Sequence, residues 1–365
     1  MSLFLVDAGR EWHERQRQVL CLARELRKKG YAAHLVLEPG GDLLKKAADE
    51  GFSVLPLRMH GRMKWIVRKS LARAMKAHGC RLVHFHETLG AALGLPAAAS
   101  AQVPVRILSR SADSSPLEGR LPLAAVDAFI AGTEGVRLIL VRGGVAEGNV
   151  EVVPPGLDFS PFTAHGPDDL VRRELALGPD DFLAGVVIPL EDELGHRTLL
   201  EAAAIVGQSA PKVKIVVVGE GSLRLEFDDP AVGPSMANVF YFLGRRNEAP
   251  GVLASLNMFA VFSHLDGLGG FLIEAMASGL PVAAADVGAV RDIVTPRETG
   301  LLFPARNAKA LADAILKICL DKVLAGRLAA RGREAVLEKY SAEAMARRII
   351  GIYEWRAHRK GVKLG

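Results

Sequence analysis

The stretch from residue 263 to residue 282 has the composition of a phosphate-binding loop. A glycine-rich loop connects a predicted strand to the start of an apolar helix. Its glycines are Gly267, Gly269 and Gly270. Backbone N–H groups in a loop of this kind, together with the dipole of the helix that follows, favour a bound phosphate. The sequence therefore predicts an anion site at this helix N-terminus.

Two carboxylates, Asp266 and Glu274, stand eight positions apart in the same stretch. Glu274 lies between apolar neighbours inside the predicted helix, where an unpaired carboxylate is costly, so we expect it to meet a donor such as a ribose diol. Asp266 precedes the helix, and both carboxylates can face one ligand over the helix N-terminus. A Glu on the one solvated face of the helix is the alternative interpretation.

Further polar residues lie at the ends of predicted strands in the first half of the chain. His84 and His86 are two positions apart along one strand, so only one strand face is shared with a cleft. We favour His86 as the site residue because it is nearest to the carboxyl end, although a lone histidine is more often a satisfied core residue. Arg110 and Asp113 follow the next strand, where they either project into the cleft or form a structural ion pair.

Apolar, β-branched runs, which indicate strands, alternate along the chain with helical patterns. These strands and helices would position the candidate site residues. In the first half the predicted strands are Leu3–Val6, Ala33–Leu37, Ser53–Leu57, Leu82–Phe85, Val103–Leu108, Ala128–Ala131 and Val150–Val153. In the second half they are Phe182–Ile188, Lys214–Val218, Val239–Leu243, Met258–Phe262 and Pro281–Ala284. The helix Gln16–Lys29 has one apolar face and stops at Gly30. This alternation predicts parallel α/β sheets that bind ligands at the carboxyl ends of their strands.

Prolines, glycine and polar turn residues between 154 and 169 separate the two series of strands. We therefore predict a Rossmann-like N-terminal domain at 1–160 and a Rossmann-like C-terminal domain at 161–340, each doubly wound, which face one another across a cleft. Ser341 is suited to cap a last helix, and we expect residues 341–365 to cross back toward the first domain.

Composition and charge exclude several classes of protein. Half of the 365 residues are apolar, which is enough for two cores, yet no stretch approaches the ~20 apolar residues of a membrane-spanning helix. Three widely spaced cysteines without a CxxC pair indicate neither a disulfide framework nor a zinc site. With no basic leader at the N-terminus, these features predict a cytoplasmic location, either free or peripheral at the inner face of the membrane.

The segments around these residues resemble the retaining GT4 glycosyltransferase family, which has the GT-B fold. Asp266 and Glu274, with the glycines between them, are similar to the family's E-x7-E motif, with Asp at the first carboxylate. Further segments agree in order, namely Val217–Gly221, Phe242–Arg246, Gly288–Asp292 and Glu298–Leu302. Segments of the first half resemble a bacterial branch of the family that assembles cell-surface polysaccharide and lipopolysaccharide. These segments are Gly9–Trp12 with Gln16–Gln18, Leu82–His86, Ser109-Arg110 with Asp113, and Pro154–Asp158. The similarity covers most of residues 1–356.

The resemblance implies a role for each of these residues. Glu274 would hold the ribose, Gly267–Gly270 the β-phosphate and sugar, and Asp266 a sugar hydroxyl. The remaining residues of the donor site would be Gly219, Glu220 and Arg245, with the N-terminal loop residues Gly9, Arg10 and Glu14 nearby. The catalytic residues would be His86, Arg110 and Asp113. The nucleoside diphosphate would depart with retention of configuration at the sugar, without a metal or other cofactor.

Two departures from the family pattern bear on activity. In Val187–His196, Pro189 and Leu194 replace the Arg and Lys that neutralise the leaving diphosphate in the family. Two residues that can carry positive charge, His196 and Arg197, directly follow Gly195. They either compensate for the missing Arg and Lys or lie in solvent at the start of a helix. Where the family has a Gly-Gly pair, the chain has Trp12–Gln16, and its Glu14 and Arg15 would crowd the approach to the ligand.

The first 80 residues hold 16 Lys and Arg against 8 Asp and Glu, and their most basic segment is Arg58–Lys76. This segment has seven basic residues, no acidic ones, and Trp65. A basic amphipathic helix can lie on anionic lipid. The alternative is a helix that packs Ile66 and Met75 inward and leaves its cations in solvent. We expect no nucleic-acid partner, because no recognised motif accompanies the charge.

The sequence thus predicts a retaining glycosyltransferase that moves a sugar from a nucleotide-sugar donor to a glycolipid or polysaccharide precursor. Two alternatives stay open. One is a catalytically impaired nucleotide-sugar-binding homologue that acts as a partner or regulatory protein, for which Pro189 and Leu194 are the evidence. The other is a sugar-nucleotide 2-epimerase, which shares the architecture but requires acid and base residues that cannot be assigned here.

Overall fold

The computed structural model describes residues 2–61, 63–110, 121–164, 168–187, 193–219, 238–244, 246, 249–262, 269–288 and 290–363. The chain divides into two compact units. The first comprises Met1–Asp158 with Lys339–Gly365, and the second comprises Phe159–Glu338. Within the described residues, no helix is long and apolar enough to cross a membrane.

The first unit is built on a parallel sheet, as the alternating sequence pattern predicts. Its described strands are β1 (Ser2–Asp7), β2 (Ala32–Leu37), β3 (Ser53–Pro56), β4 (Cys80–Phe85), β5 (Val105–Arg110), β6 (Ala128–Ala131) and β7 (Val150–Val152). Their order in the sheet is β3-β2-β1-β4-β5-β6-β7. The order reverses between β1 and β4, and in sheets of this kind ligands bind at the carboxyl ends of the strands beside that point.

Helices cover both faces of this sheet, because the central strand β1 buries apolar side chains on both of its sides. The helices are α1 (Glu14–Lys28), α2 (Asp42–Asp49), α3 (Lys64–Ala77), α4 (Thr88–Ser100) and α5 (Glu134–Arg142). Side chains that alternate along β1 enter two separate cores, with Leu3 and Leu5 in one and Phe4 and Val6 in the other. The first core contains α1 and α2, and the second contains α3, α4 and α5.

The second unit repeats the architecture. Its described strands are β8 (Phe182–Val187), β9 (Val213–Val218), β10 (Phe240–Gly244), β11 (Met258–Val261), β12 (Val282–Ala285) and β13 (Leu301–Phe303), in the order β10-β9-β8-β11-β12-β13. The sequence pattern did not predict β13, because a three-residue apolar run after a turn shows no strand periodicity. The two parallel-sheet units confirm the predicted α/β fold class.

The described helices of the second unit surround this sheet and differ widely in length. They are α6 (Ser160–Thr163), α7 (Leu170–Glu174), α8 (Glu193–Ser209), α9 (Ala249–Ala254), α10 (Gly269–Ala277), α11 (Val290–Ile293), α12 (Ala308–Leu320) and α13 (Lys322–Tyr340). One core of the unit joins α8 and α12 to the sheet. The helix that the glycine-rich loop was expected to open, α10, begins at Gly269.

The last helix, α14 (Ala342–Arg359), belongs to the first unit. Ser341 caps it by accepting a hydrogen bond from the backbone N–H of Ala344 at 3.1 Å. Its inner face joins the core that contains α1, through Ala342, Met345, Ala346, Ile349, Ile350, Tyr353 and Ala357. At the far end Arg356 donates to Asn149 Oδ1 and to the carbonyl of Gly148, both at 3.0 Å.

Tyr353→Ala should lower the free energy of unfolding of the first unit by about 3–5 kcal/mol, because it removes a fully buried aromatic ring from a packed core. The three tryptophans, Trp12, Trp65 and Trp355, all lie in this unit, so tryptophan fluorescence in a urea titration reports its unfolding. The control is Arg348→Ala on the exposed face of the same helix, which should change stability by less than about 0.5 kcal/mol. Equal losses in the two variants would show that α14 contributes little to the core.

Candidate functional site

A buried carboxylate organises the carboxyl edge of the first sheet. Asp7 ends β1 and is fully buried. It accepts hydrogen bonds from the backbone N–H of Gly9 at 2.8 Å, from Gln16 Nε2 at 3.0 Å and from Arg15 Nε at 2.9 Å. Sequence analysis did not single out Asp7, although an acidic residue at the end of an apolar strand was the available signal. The network compensates a buried charge and fixes the start of α1.

The loop between β1 and α1 is held on both sides. A Cβ at Gly9 would lie 2.1 Å from Gln16 Nε2 and 2.8 Å from Asp7 Oδ1, so a larger residue would displace part of the network. Arg10 donates from Nη2 to Glu38 Oε1 at 3.0 Å, and its carbonyl accepts from the N–H of Asp42 at 2.9 Å. The predicted loop residues Gly9 and Arg10 are thus fixed in place, whereas the side chain of Glu14 lies outside the described part of the structure.

Arg10 binds the carboxylate of Glu38, which is buried. Burial favours the protonated form of Glu38, but hydrogen bonds from the N–H of Met59, from Arg10 and from His60 outweigh it and lower the pKa of this carboxyl group. The Met59 bond is 2.6 Å long and the Arg10 bond 3.0 Å. Glu38 therefore remains ionised at neutral pH and anchors the β1–α1 loop.

His84 is the satisfied core histidine that the sequence allowed for. Its Nδ1 lies 2.7 Å from the hydroxyl of Tyr353 on α14, and its Nε2 lies 2.7 Å from Ser109 Oγ on β5. Burial, with the neighbouring His86 as a smaller contribution, lowers its pKa well below the usual value, so the ring is neutral. The His84 ring therefore connects the last helix, through Tyr353, to β5, through Ser109.

His86, the favoured site histidine, lies directly after β4, and its ring centroid is 4.0 Å from that of His84. It is buried, and its backbone N–H donates to the carbonyl of Val6 at 3.0 Å. Burial lowers its pKa to about 4, opposed by the negative charge of Asp7. Its Nε2 has no hydrogen-bond partner among the described residues, which is unusual for a buried polar atom.

Arg110 is the last residue of β5 rather than a loop residue after it, which corrects the predicted strand end at Leu108. The strand continues because Ser109 and Arg110 pair with Ile130 and Ala131 of β6. The Arg110 side chain is buried and donates from Nη1 to Thr88 Oγ1 at the start of α4. Burial lowers the pKa of its guanidinium group, which nevertheless stays charged. Asp113, its expected neighbour, lies outside the described residues.

A cavity of about 160 Å³ lies in the first unit, and Arg15, His86 and Arg110 are among the residues that line it. Its polar lining residues are Arg15, Gln18, His86, Ser109, Arg110 and Thr133, and its apolar lining residues include Leu22, Ile130, Val153, Met345 and Ile349. Met345 and Ile349 come from α14, so the last helix forms one wall. Strand ends, the start of α1 and the C-terminal helix thus combine into a single candidate site.

The predicted donor residues are only partly described. Gly270 is exposed in the first turn of α10, and a Cβ there would meet open space. Glu274 is half-buried one turn later in the same helix, and Gly219 follows β9 with its N–H donating to the carbonyl of Gly244 at 3.2 Å. Arg197 is exposed near the start of α8. Because α10 follows β11 and Gly219 follows β9, they lie at the carboxyl edge of the second sheet.

Several predicted residues fall outside the described part of the second unit. The position is not described for Glu220, Arg245, Asp266, Gly267 and Pro189, and the side chain is not described for Leu194 and His196. The effect of replacing the two phosphate-neutralising cations therefore stays a prediction. Among the described residues, no group of three or more His, Cys, Asp or Glu side chains could hold a metal ion, and metal-free transfer likewise stays a prediction.

Two family models match the chain, one in each unit. The model of glycosyl transferases group 1 matches residues 168–335, and that of Glycosyltransferase Family 4 matches residues 16–160. The chain is 25% identical over 210 residues to the lipopolysaccharide core biosynthesis mannosyltransferase LpsB of Rhizobium meliloti, covering 56% of this chain and 60% of that protein. It is 33% identical over 169 residues to a phosphatidyl-myo-inositol mannosyltransferase of Mycobacterium leprae, covering 45% and 44%. These matches thus span about half the length of each relative.

A solved structure agrees with the fold of the whole chain. The structure of Anabaena Alr3699/HepE in complex with UDP superposes with a TM-score of 0.74 at 17% identity, covering 97% of this chain and 100% of that one. Identity at this level supports the shared fold only. The match extends over both α/β units and agrees with the GT-B class expected from the sequence.

Gly9→Ala should destabilise the first unit by about 1–3 kcal/mol, because the added methyl group displaces Gln16 from the Asp7 carboxylate and leaves a buried charge short of a donor. Urea unfolding followed by tryptophan fluorescence measures the change. The control is Gly351→Ala in α14, where a Cβ meets no atom within 4 Å and should be neutral or stabilising by up to about 1 kcal/mol. Equal stability of Gly9→Ala and the native chain would mean that the loop relaxes without loss.

Proposed function

The chain belongs to the GT4-like family of glycosyl transferases group 1, and on this premise we propose that it transfers a sugar from a nucleotide-sugar donor to a glycolipid or polysaccharide precursor. The observation that carries the proposal is that both units match models of this family, at 16–160 and at 168–335. A protein that had kept only the α/β architecture would not be expected to match in both units. This argues against the 2-epimerase alternative.

The second unit would bind the donor at the carboxyl edge of its sheet. Gly269 and Gly270 lie in the first turn of α10, where backbone N–H groups have no partner within the helix and the helix dipole would stabilise a phosphate. Glu274 lies one turn further along the same helix, within reach of a ligand over its N-terminus. The similar Anabaena structure is a complex with UDP, which supports a nucleoside diphosphate as the class of leaving group.

The first unit would bind the acceptor. The named relatives act on lipopolysaccharide core and on phosphatidyl-myo-inositol, which supports an acceptor that is a glycolipid or a saccharide precursor. In the transfer, the bond between the sugar and the diphosphate breaks, the acceptor hydroxyl oxygen takes its place, and the hydroxyl proton leaves with the diphosphate. We propose retention of configuration and metal-free transfer on the family resemblance alone.

A lipid-borne acceptor is consistent with the surface of α3. The helix buries Val67, Leu71, Ala72 and Met75, so the inward position expected for Met75 is confirmed. Ile66 is 38% exposed, against the expectation that it packs inward, and it adjoins Met63 at 63% and Trp65 at 66%. Exposed cations border these apolar side chains, namely Lys64, Arg68, Lys69, Arg73 and Lys76. We therefore propose that α3 makes a peripheral contact with anionic lipid.

Glu274→Ala should weaken nucleotide binding by about 1.5–3 kcal/mol, because it removes the carboxylate expected to accept hydrogen bonds from the ribose. Calorimetry against UDP, GDP, ADP and CMP identifies the nucleotide without a known acceptor. The matched control is Glu298→Ala, an exposed glutamate of the same unit, which should bind like the native chain. The proposed donor site is wrong if Glu274→Ala retains native affinity for every nucleotide that the native chain binds.

An activity assay then separates transfer from binding alone. The native chain should move labelled sugar from the matching nucleotide sugar into lipid-extractable or polymeric product, or hydrolyse the donor slowly. Tight nucleotide binding with neither reaction would favour the catalytically impaired homologue, for which the replacement of Arg and Lys by Pro189 and Leu194 is the sequence evidence.

The triple variant Lys64→Ser, Arg68→Ser and Lys69→Ser should lose most co-sedimentation with vesicles rich in phosphatidylserine. Each cation near such a surface contributes about 1 kcal/mol, and the attraction is screened within a Debye length. Native binding should accordingly fall at high salt. A charge-matched control changes Lys317, Lys322 and Arg327 of the second unit to Ser, all of which are exposed. If both triple variants pellet equally at low salt, α3 is not the membrane contact.

A further inference from the structure

We propose that Tyr353 and His84 are positioning residues, which fix the direction of a hydrogen-bond chain and so make the Ser109 hydroxyl a donor into the cavity of the first unit. The chain runs from the Tyr353 hydroxyl to His84 Nδ1 and from His84 Nε2 to Ser109 Oγ, with both distances 2.7 Å. Ser109 lines the cavity, whereas Tyr353 and His84 do not. The two buried residues would therefore act on a ligand only through Ser109.

The direction of the chain depends on which ring nitrogen of His84 carries the proton. His84 is fully buried, and burial lowers the pKa of its ring well below the usual value, so the imidazole is neutral and has one N–H. With the proton on Nε2, His84 accepts from Tyr353 and donates to Ser109. With the proton on Nδ1, both hydrogen bonds run the other way. The partner of one nitrogen determines which tautomer forms.

The surroundings of Tyr353 favour the proton on Nε2. The side chain is fully buried, and burial raises the pKa of its hydroxyl well above the usual value, so the hydroxyl keeps its proton. Among the described residues, His84 is the only hydrogen-bond partner of this hydroxyl. If Nδ1 donated to it, the Tyr353 proton would be buried without an acceptor, which is costly. Tyr353 therefore donates to Nδ1, and His84 carries its proton on Nε2.

The same reasoning gives the role of Ser109. Its Oγ accepts from His84 Nε2, and no other residue in the described part of the chain makes a hydrogen bond with this hydroxyl. A serine hydroxyl has one proton to donate, and Ser109 is a half-buried lining residue of the cavity. Its proton is therefore directed to a ligand. The ligand atom beside it should be an acceptor, such as a hydroxyl, ether or carbonyl oxygen, because an N–H group there would leave the serine proton without an acceptor.

The ring and the hydroxyl of Tyr353 have separable roles. The ring packs in the core that contains α1 and stands edge-on to the His84 ring, with centroids 5.7 Å apart and an interplanar angle of 85°. Tyr353→Phe keeps this packing and removes only the hydroxyl. Its effect on His84 therefore reports the hydrogen bond rather than the core.

The first test is ¹⁵N NMR of the full chain with labelled histidine, because the shifts of the two ring nitrogens report which one is protonated. His84 should be protonated on Nε2 in the native chain and also in Ser109→Ala, where Tyr353 still donates to Nδ1. In Tyr353→Phe the direction is no longer fixed, and both shifts should move toward values averaged over the two tautomers. The control Tyr31→Phe removes another hydroxyl bonded to α14, 2.7 Å from Glu354 Oε1, and should leave the His84 signals unchanged.

Sugar transfer is the second test, and it rests on the proposed function. Ser109→Ala and Tyr353→Phe should each lower kcat/KM by about twofold to tenfold, the range expected for one neutral hydrogen bond. The double variant should lose no more than the larger single loss, because both changes remove the same donor. The control Ser53→Ala breaks another serine–histidine bond of the same unit, between Ser53 Oγ and His34 Nδ1 at 2.8 Å, and should be as active as the native chain.

The two tests distinguish failure of this proposal from failure of the proposed function. The proposal is overturned if native His84 is protonated on Nδ1, if Tyr353→Phe leaves the tautomer unchanged, if Ser109→Ala is fully active, or if the losses in the double variant are additive. An absence of transfer in the native chain contradicts the proposed function instead, and the NMR result then decides alone. The His84 signals are those lost in His84→Gln or, if that variant does not fold, the pair that shifts in both other variants. If Tyr353→Phe does not fold, the tautomer of the native chain decides.

Discussion

The candidate site of the first unit depends on the packing of the C-terminal helix against its sheet. Tyr353 is fully buried in the core that contains α1, and its hydroxyl lies 2.7 Å from His84 Nδ1. His84 in turn contacts Ser109, and its ring lies against that of His86. Met345 and Ile349 of the same helix form a wall of the cavity. Residues more than 230 positions apart in the chain thus share one hydrogen-bonded and apolar structure.

A second constraint is electrostatic and starts from Asp7. A carboxylate that is removed from water must be compensated, and here a guanidinium group, an amide and a backbone N–H surround it. The compensation has structural consequences, because it fixes the first turn of α1 through Arg15 and Gln16 and leaves no room for a Cβ at position 9 unless a side chain of the network moves. Arg15, one of the two residues predicted to crowd the ligand, donates from Nε to Asp7.

The two units carry different parts of the proposed reaction. In the second, the described residues of interest include the exposed Gly270 and the half-buried Glu274 of α10, as expected where a ligand contacts the backbone. In the first, His86 and Arg110 are buried side chains, and burial keeps His86 neutral with a pKa of about 4.

The sequence by itself predicted the described strands of both sheets except β13, the parallel α/β class and the family, because apolar alternation and glycine-rich loops are local patterns. It also predicted the cap at Ser341 and singled out His86 and Arg110, which line the cavity. Only the tertiary structure showed that Asp7 is the centre of a network, that His84 is bonded to Tyr353, and that β5 extends to Arg110. These facts depend on contacts between residues distant in the chain, and no local periodicity encodes them.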